Sequence, residues 1–585
     1  MKYSDRIADW LIELGYTHCF YVGGGNIMHL LESLSRRLDC RAVIHEVAAG
    51  IATEYFNESG NGKALALVTA GPGLTNIVTA LGGAWLESRE LLVIGGQVKT
   101  ADLARGALRQ RGIQEIDGVA VAAPLCKASV LVDAPLPFAE FAALVRSAGQ
   151  PRKGPVFLEM PLDVQAREVD FAAGQPLPAL PPLPRVDDAA LANLADMVRA
   201  AQRPLLLLGG GVSRDAARAL QPQLAACGLP LATTWNGADR IDSAQSNYVG
   251  RPNTWGQRSA NLVLQQADLV VALGTRLGMQ QTGFNWQAFV PHGRVVQVDV
   301  DAAELAKGHP HVELPLQGDA DDVLRRLLRC ELGVHDDWLS YAREVRAALP
   351  PVEAGNTTGD GYISPYDFVD RLSDLCRADD VLIPCSSGGA FTVMMQVFRQ
   401  RAGQVMITDK GLAAMGYGLS GAIGAAFAQP QRRVVLVEGD GGFAQNMQEI
   451  GTAAINRLNL KMFVFDDSGY ASIRMTQRSY FGGRYVGCDR STGLGLPDWD
   501  KLFGVWNVPS LRIGPGFDAM DAFHALFDAP GPAAFLVSLD PQQTYFPKIT
   551  SRVTAGGAME SNPLHRMTPE LDTALLARVG RYLAD

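Results

Sequence analysis

Two aspartates, each closing an apolar run, constrain this chain of 585 residues more than any other feature. Asp440 follows the apolar residues 434–437 within Glu-Gly-Asp-Gly-Gly, and Asp467 follows the apolar residues 463–465. The segment between them is long enough for one helix, so the pattern predicts two strands that each end in a carboxylate beside glycine. Such strand ends can hold one hard cation, and the glycines let backbone N–H groups approach a diphosphate on that cation. The alternative is two ordinary strand–helix turns with solvated acids.

Composition excludes several classes of function. Hydrophobic residues make up 47% of the chain and charged residues 19%, which is typical of a globular protein. The net charge of −9 gives no basic surface, so no nucleic acid and no membrane is expected as a partner. Eight cysteines are scattered without a C-x-x-C pair, which favours reduced thiols and a cytoplasmic location.

Two segments bear on membrane targeting. The N-terminus is charged, and Ile7, Trp10, Leu11 and Leu14 recur at helical spacing, which predicts an amphipathic helix rather than a signal peptide. Residues 411–431 are uncharged and long enough to span a bilayer. Their many glycines and alanines instead favour a small-residue helix packed closely against a ligand or another helix.

Proline-rich joins divide the chain into three blocks. Strand-like apolar runs alternate with helix-length segments in each block, which predicts an α/β fold of three doubly wound parallel-sheet domains. Ligands are expected at the C-terminal ends of the strands. The predicted domains are residues 1–175, 186–335 and 362–550, followed by a C-terminal tail at 551–585. The predicted strands of the first two blocks are residues 64–68, 91–94, 156–159, 205–208, 269–273 and 295–298.

Short motifs, most of them containing glycine, recur in a definite order along blocks one and three. They are Gly-Gly-Gly-Asn at 23–26, His-Glu-Val at 45–47, Thr-Ala-Gly-Pro-Gly at 69–73, Gly-Gly-Gln at 95–97, Gly-Ile-Gln-Glu at 112–115, Gly-Leu-Ala-Ala-Met-Gly at 411–416 and the aspartate motif at 438–442. Together they resemble the thiamine-diphosphate-dependent (ThDP-dependent) acetolactate synthase, or acetohydroxyacid synthase, family over nearly the whole chain. The resemblance implies a pyrimidine-binding domain in block one, a central domain in block two and a diphosphate-binding domain in block three.

The resemblance assigns Glu46 to activation of the cofactor. Glu46 would hydrogen-bond N1′ of the aminopyrimidine and favour its protonated form, so that the 4′-amino group serves as the internal base. Backbone groups of Ala413 and Met415 would hold the pyrimidine edge, with the Met415 side chain wedged beneath the cofactor. Gln114 and Gly25 are further candidate active-site residues. The plainer alternatives are a glutamate that caps a helix or pairs in a salt bridge, and a core methionine.

The diphosphate would be bound together with Mg²⁺. Asp440, Asp467 and the Gly469 carbonyl are the ligands that the resemblance implies. The family's usual residue at the position of Asp467 is asparagine, so this chain adds a negative charge beside the diphosphate. The candidate contacts to the cofactor in these loops are Gly388, Gly389, Gly441, Gly442 and Tyr470.

The resemblance also implies an assembly and a second candidate cofactor. In this family the pyrimidine-binding domain of one subunit faces the diphosphate-binding domain of another, so a homodimer or homotetramer is expected. Glycine-rich turns around Gly210 and Arg276 resemble family positions that hold FAD. Such turns are common, and many relatives bind no FAD at these positions. Whether this chain binds FAD therefore stays an open question.

The expected reaction is decarboxylation of pyruvate or a similar 2-oxo acid, followed by transfer of the two-carbon unit to a carbonyl acceptor. Enzymes of the pyruvate decarboxylase type carry a histidine pair where this chain has Gln114 and Glu115. Gln114 matches the acetolactate synthase pattern, which favours carboligation, the formation of a new carbon–carbon bond with the acceptor. A 2-oxo-acid decarboxylase or oxidase stays open as an alternative.

The acceptor is less constrained. Thr476 lies near the position of a tryptophan that helps acetohydroxyacid synthases to select 2-oxobutyrate. Residues 473–487 and 540–548 look like a carboligase subgroup associated with surface polysaccharides, of the yersiniose type. A ketone or ketosugar acceptor is therefore the first expectation, and acetolactate synthesis from two pyruvates is the alternative. Arg474 and Arg478 would either meet an anionic acceptor or lie solvated at the surface.

Overall fold

The computed structural model describes residues 1–60, 62–172, 174–553, 556–557 and 559–583. The chain forms two compact units. Unit 1 consists of Met1–Pro181, Asp380–Ala390 and Ile407–Ser538, and unit 2 consists of Pro182–Asp379, Phe391–Met406 and Leu539–Asp585. Unit 1 thus combines block one with most of block three.

The first sheet lies in unit 1. Its strands are β1 (Tyr16–Tyr21), β2 (Asp39–Ala42), β3 (Lys63–Val68), β4 (Leu91–Gln97), β5 (Ala128–Leu131) and β6 (Pro155–Pro161). The helices are α1 (Tyr3–Glu13), α2 (Met28–Ser35), α3 (Glu46–Ser59), α4 (Pro72–Glu87), α5 (Gly118–Ala122), α6 (Phe138–Ser147) and α7 (Leu162–Ala166). The strand order is β2-β1-β3-β4-β6-β5 with parallel pairing, so the C-terminal ends of all six strands share one edge.

The second sheet lies in unit 2. Its strands are β7 (Pro204–Leu208), β8 (Leu231–Thr233), β9 (Tyr248–Gly250), β10 (Leu269–Leu273), β11 (Arg294–Asp299) and β12 (Leu314–Gln317). The helices are α8 (Asp188–Ala200), α9 (Arg214–Ala219), α10 (Gln221–Ala226), α11 (Arg258–Gln266), α12 (Met279–Thr282), α13 (Ala302–Ala306), α14 (Ala320–Leu327) and α15 (Asp336–Ala348). The strand order is β12-β11-β10-β7-β8-β9, again with parallel pairing.

The third sheet has the order β14-β13-β15-β16-β18-β17. Its strands are β13 (Val381–Ile383), β14 (Val405–Met406), β15 (Val434–Gly439), β16 (Leu460–Asp466), β17 (Ser510–Ile513) and β18 (Ala533–Ser538). The helices are α16 (Pro365–Leu375), α17 (Gly388–Val397), α18 (Tyr417–Ala428), α19 (Asp440–Phe443), α20 (Ile450–Ile455), α21 (Ala471–Tyr480), α22 (Trp499–Val505) and α23 (Asp521–Asp528). Strands β15 and β16 pair in parallel, with Gly439 opposite Phe465.

The predicted α/β class with three parallel sheets is confirmed. Each strand predicted in the first two blocks lies inside an observed strand, because buried parallel strands appear in sequence as continuous apolar runs. The opening helix is α1, where Ile7, Trp10 and Leu11 are buried against the first sheet's core.

The predicted small-residue helix is α18, which packs along α3 inside unit 1. A Cβ on Gly424 would collide with the backbone of Ala52, and one on Gly421 would meet the ring of Tyr55. Glycine therefore permits this close approach of two helices. Across the described residues, none of the helices combines the length and the apolar character needed to cross a bilayer.

The stretch predicted as a C-terminal tail contains a hairpin and a helix. Strands β19 (Ser551–Val553) and β20 (Met559–Ser561) pair in antiparallel fashion, and α24 spans Thr573–Val579. Leu564 and Val579 are buried in the core of unit 2. Residues 554–555, 558 and 584–585 of this predicted tail lie outside the described residues.

Candidate active site

The loops that follow β15 and β16 are joined by a hydrogen bond to Asp440. Its Oδ2 accepts the backbone N–H of Gly469 at 2.9 Å, and its Oδ1 accepts the N–H of Gly441 at 2.6 Å. The two strands are neighbours in the sheet, so both loops leave from the same edge. The sequence prediction that Asp440 and the loop of Asp467 lie together is confirmed.

The two carboxylates stand in a buried setting. Asp440 is 1% exposed and Asp467 is 5% exposed. Burial raises the pKa of Asp440, and the nearby Asp467 and Asp466 raise it further. Burial also raises the pKa of Asp467 to about 7, against the opposing effect of Arg474. Paired buried carboxylates of this kind are the oxygen ligands that suit a divalent cation, so the donor set fits Mg²⁺.

The Gly469 loop is shaped by close backbone contacts. Gly469 has a φ of 141°, and a Cβ there would collide with the carbonyl of Cys488. Tyr470 N–H donates to the same Cys488 carbonyl at 2.8 Å. A Cβ on Gly441 would collide with the Tyr470 ring, so the glycine of the Asp-Gly-Gly motif lets this ring lie directly on the backbone.

The start of α17 is a second group of backbone N–H donors at this edge. Gly388 and Gly389 open the helix, five residues beyond β13, which pairs with β15. Gly388 has a φ of 81°, and a Cβ there would meet nothing within 4 Å. The space beside Gly388 at the start of the helix is therefore open, which fits the approach of a phosphate group.

The loop before α18 holds Ala413 in a left-handed conformation. Ala413 has a φ of 56°, and its N–H donates to Asp409 Oδ1 at 2.9 Å. Leu412 N–H donates to the same oxygen at 3.1 Å. Burial raises the pKa of Asp409 to about 6, with Glu87 adding to the rise. The carboxylate thus fixes the turn that would hold the pyrimidine edge.

Met415 follows this turn and is 38% exposed. The alternative of a core methionine is therefore wrong. An exposed, flexible thioether beside the Ala413 turn fits the wedge that the family resemblance implies.

Glu46 is the first residue of α3 and is 8% exposed. Its Oε2 accepts a hydrogen bond from Asn76 Nδ2 at 2.9 Å, and Asn76 lies on α4. Asn76 lies three residues beyond the Thr-Ala-Gly-Pro-Gly motif of 69–73, and its contact with Glu46 was not predicted. The bond orients the carboxylate and occupies one of its two oxygens.

Glu449 clamps the backbone immediately before Glu46. Its carboxylate accepts the N–H groups of Ile44 at 3.1 Å and His45 at 3.0 Å, and the hydroxyl of Thr452 at 2.6 Å. Burial raises the pKa of Glu449, and these hydrogen bonds oppose the rise. Sequence analysis missed Glu449, because a glutamate in a helical segment carries no local signal for a contact with so distant a residue.

Gln114 and Gly25 lie at the edge of the first sheet. Gln114 is exposed with a φ of 62°, and a Cβ on Gly71 would collide with its carbonyl. Gly25 follows Gly24, whose Cβ would collide with the Thr69 side chain. The loop after β1 therefore contacts the loop after β3. The segment of Gln114 also packs against the loop after β3.

Glu115, next to Gln114, has a structural role. Its carboxylate accepts backbone N–H groups from Ala104, from Arg111 at 2.8 Å and from Gly112 at 2.9 Å. These bonds lower its pKa despite the opposing effect of burial. Glu115 thus closes the loop that presents Gln114.

Comparison with known proteins gives the family. The thiamine pyrophosphate enzyme N-terminal TPP binding domain matches residues 1–121, the central domain matches 191–327 and the C-terminal TPP binding domain matches 387–537. The chain is 28% identical to the acetolactate synthase isozyme 1 large subunit of Escherichia coli (strain K12) over 555 residues, covering 93% of this chain and 95% of the relative. It is 29% identical to the isozyme 2 large subunit of the same organism over 578 residues, covering 96% and 100%.

An acetolactate synthase of Mycobacterium bovis is 29% identical over 552 residues, covering 91% of this chain and 87% of the relative. The chain is a ThDP-dependent enzyme of the acetolactate synthase type. Its cofactors are ThDP and Mg²⁺.

In this acetolactate synthase-type enzyme, one expectation about Arg474, which follows the loop of residues 467–470 (called the metal loop below), is wrong. Arg474 is 2% exposed, so it does not lie solvated at the surface. Its guanidinium pairs with Asp467 at 3.0 Å instead. Thr476, two residues further along α21, is exposed.

In unit 2, the glycine-rich turns after β7 and β10 lie against each other. Gly209 N–H donates to Leu273 at 2.8 Å, and Gly211 N–H donates to Gly274 at 2.9 Å. Gly210 stands between them, where a Cβ would lie 3.2 Å from the Cβ of Asn236. Arg276 follows β10, is partly buried, and accepts Lys307 Nζ on its carbonyl. The two turns that resemble FAD-binding positions thus meet at the C-terminal edge of the sheet. This edge is the usual place for a ligand in this architecture.

Proposed function

We propose that this enzyme decarboxylates pyruvate and joins the two-carbon unit to a second pyruvate, forming acetolactate. The observation that carries the proposal is the junction of the two carboxylate loops through Asp440 and Gly469, in a chain whose relatives are acetolactate synthases over nearly their whole length. The relatives favour this alternative over the bulky ketone or ketosugar acceptor that the sequence analysis placed first.

In this proposal the diphosphate-binding loops hold the metal and orient the cofactor. Asp440, Asp467 and the Gly469 carbonyl would hold Mg²⁺, and the N–H groups of the glycine-rich turns would bind the phosphates. ThDP, when bound, supplies the carbon nucleophile and accepts the electron pair released with CO₂. Protein residues therefore need to position groups and to exclude water, and none has to act as the carbon nucleophile.

Glu46 holds a proton at N1′ of the aminopyrimidine through a hydrogen bond. The bond from Asn76 leaves one Glu46 oxygen, Oε1, for this contact. Low exposure strengthens the interaction because water competes less for the carboxylate. Gln114, which lies at the edge of the first sheet, would contact the substrate.

A second candidate is transfer to a larger carbonyl acceptor. Thr476 is small and exposed, near the position where the resemblance expects a tryptophan. A shorter side chain there leaves more room beside the metal loop, which favours an acceptor larger than a 2-oxo acid.

Product analysis distinguishes the candidates. The purified enzyme is incubated with ThDP, Mg²⁺ and pyruvate, with and without a panel of ketones, and the products are identified by mass spectrometry. Acetolactate from pyruvate alone supports the first proposal. A branched tertiary alcohol formed in preference to acetolactate supports the second, and acetaldehyde or acetate as the main product contradicts both.

We also propose FAD as a bound group of unit 2. The two joined turns around Gly210 and the partly buried Arg276 support it. An absorption band near 450 nm in the purified protein tests the proposal. Protein that lacks the band and acquires none on incubation with FAD contradicts it.

We propose a homodimer or homotetramer in the cytoplasm, with Glu46 of one protomer serving the metal loops of its partner. Support for the assembly comes from the family resemblance. Support for the location comes from the thiols, because all eight cysteines are described and none forms a disulfide.

A further inference from the structure

Arg474 donates hydrogen bonds to the metal loop, residues 467–470. One terminal nitrogen donates to Asp467 Oδ1 at 3.0 Å and to the Asp467 carbonyl at 2.7 Å. The other donates to the Ser468 carbonyl at 3.2 Å. The side chain of Arg474 is 2% exposed and that of Asp467 is 7% exposed, so water screens this ion pair little.

The partner of Arg474 is the residue that departs from the family pattern. Asp467 stands where the resemblance expects a neutral asparagine, and its loop is hydrogen-bonded to Asp440 through Gly469. A second carboxylate beside Asp440 would repel the diphosphate that the site must bind. The guanidinium supplies one positive charge to match the one added negative charge.

The adjacent acid has a separate partner. Asp466 pairs with Arg512 at 2.7 Å, and the side chain of Arg512 is 46% exposed. This neighbouring pair is open to water, whereas the pair of Asp467 and Arg474 is enclosed. The two arginines therefore provide a matched comparison of the same charge in two environments.

We propose that Asp467 and Arg474 act as one neutral unit in the metal site and together replace the usual asparagine. Arg474 engages Oδ1 of Asp467, and the other carboxylate oxygen would be the one to bind Mg²⁺. Arg474 is thus a positioning residue, which sets the charge of the loop and the orientation of its ligand. The inference rests on the proposed cofactor site.

Calorimetric titration of ThDP into apoprotein at saturating Mg²⁺ tests the pair without requiring turnover. Arg474→Gln leaves the Asp467 charge uncompensated, so the affinity for ThDP is expected to fall by at least about tenfold. Asp467→Asn combined with Arg474→Gln makes the site neutral again, and the affinity is expected to return to within about threefold of the wild-type value. Arg512→Gln removes the same charge from the exposed pair and should change the affinity by less than about threefold.

Arg474→Lys keeps the positive charge but cannot form the planar two-point contact. It is expected to retain ThDP affinity within about threefold, and it serves as the test if Arg474→Gln does not fold by circular dichroism and thermal unfolding. Equal losses in Arg474→Gln and the double variant, or a tenfold loss in Arg474→Lys, would overturn the neutral-unit proposal. A wild-type protein that shows no heat with ThDP would instead contradict the cofactor site itself.

Discussion

The N–H of His45 donates to the carboxylate of Glu449 at 3.0 Å, across a separation of 404 residues. His45 immediately precedes Glu46, and Glu449 follows the Asp-Gly-Gly motif within the same block. One buried carboxylate thus connects the helix that presents the proposed activating glutamate to the segment that carries the proposed metal ligand. Both ends of this connection belong to unit 1.

Glu449→Ala removes the carboxylate that binds the N–H groups of Ile44 and His45. It is expected to lower kcat by about 10- to 100-fold, because a small displacement of Glu46 from its position beside the cofactor slows the reaction. The KM for pyruvate and the affinity for ThDP should change little, since Glu449 contacts neither in the proposed site. Glu449→Gln keeps one acceptor oxygen and should restore part of kcat. A fall in ThDP affinity that matches the loss of kcat, without rescue by glutamine, would indicate a general structural role.

Glu46→Gln keeps the size of the side chain and its hydrogen bond with Asn76 but removes the charge. Turnover is expected to fall by at least about 100-fold, because the group that favours the protonated pyrimidine is lost. ThDP binding, measured by calorimetry, should persist. Glu13→Gln on the exposed end of α1 is the matched control and should leave turnover unchanged. Near-wild-type turnover in Glu46→Gln would refute the assigned proton relay.

Asp440→Ala is expected to weaken the binding of ThDP and of Mg²⁺ together, each by at least about 100-fold, since the variant lacks the carboxylate that joins both loops. Titrations of each component in the presence of the other measure the effect. Asp196→Ala, at an exposed position on α8, is the control and should bind as the wild type does. Unchanged affinity for both components would remove Asp440 from the metal site.

The sheets and the two aspartates could be predicted because their signals are local. Buried parallel strands are apolar throughout, and a carboxylate at a strand end marks the sheet edge in the sequence itself. Residues 434–437 and Asp440 carry this information within one short stretch. The family motifs added Glu46 in the same way, by residue type and position.

The contacts of Glu449 and Arg474 could not be predicted, because they depend on tertiary packing. Glu449 meets residues 44 and 45 in the folded unit, where α18 contacts both α3 and the segment 444–449 that ends at Glu449. Arg474 looks like any surface arginine on an amphipathic helix, and its burial follows from the course of the loop at 467–470. Both contacts satisfy buried charges, which sequence periodicity does not reveal.

Glu159 gives a prediction about stability and pH. It is 3% exposed on β6, and burial raises its pKa from 4.5 to about 7, with Asp117 and Glu115 adding to the rise and a hydrogen bond from Gln97 opposing it. The native state therefore binds this proton more tightly than the unfolded state does. The stability of the wild type should fall as pH rises from about 4.5 to 7, by at most about 3 kcal/mol from this group.

Glu159→Gln removes this dependence. Midpoints of thermal unfolding at pH 5 and pH 7.5 should therefore differ less in the variant than in the wild type. Glu140→Gln, at an exposed position on α6, should keep the wild-type difference. An identical pH dependence in Glu159→Gln and wild type would show that Glu159 is ionised in the native protein throughout this range.

Complementation between two inactive variants tests whether the site is shared between protomers. If Glu46 serves the metal loops of a partner, a mixed dimer of Glu46→Gln and Asp440→Ala chains has one site with both substitutions and one site with neither. Random pairing then restores about a quarter of wild-type turnover, because half of the dimers are mixed and each has one intact site. Co-expression with two different affinity tags isolates the mixed dimer, and its activity is compared with that of each parent. If Glu46 and Asp440 of the same chain formed the site, every chain in the mixture would carry one defect and no activity would return.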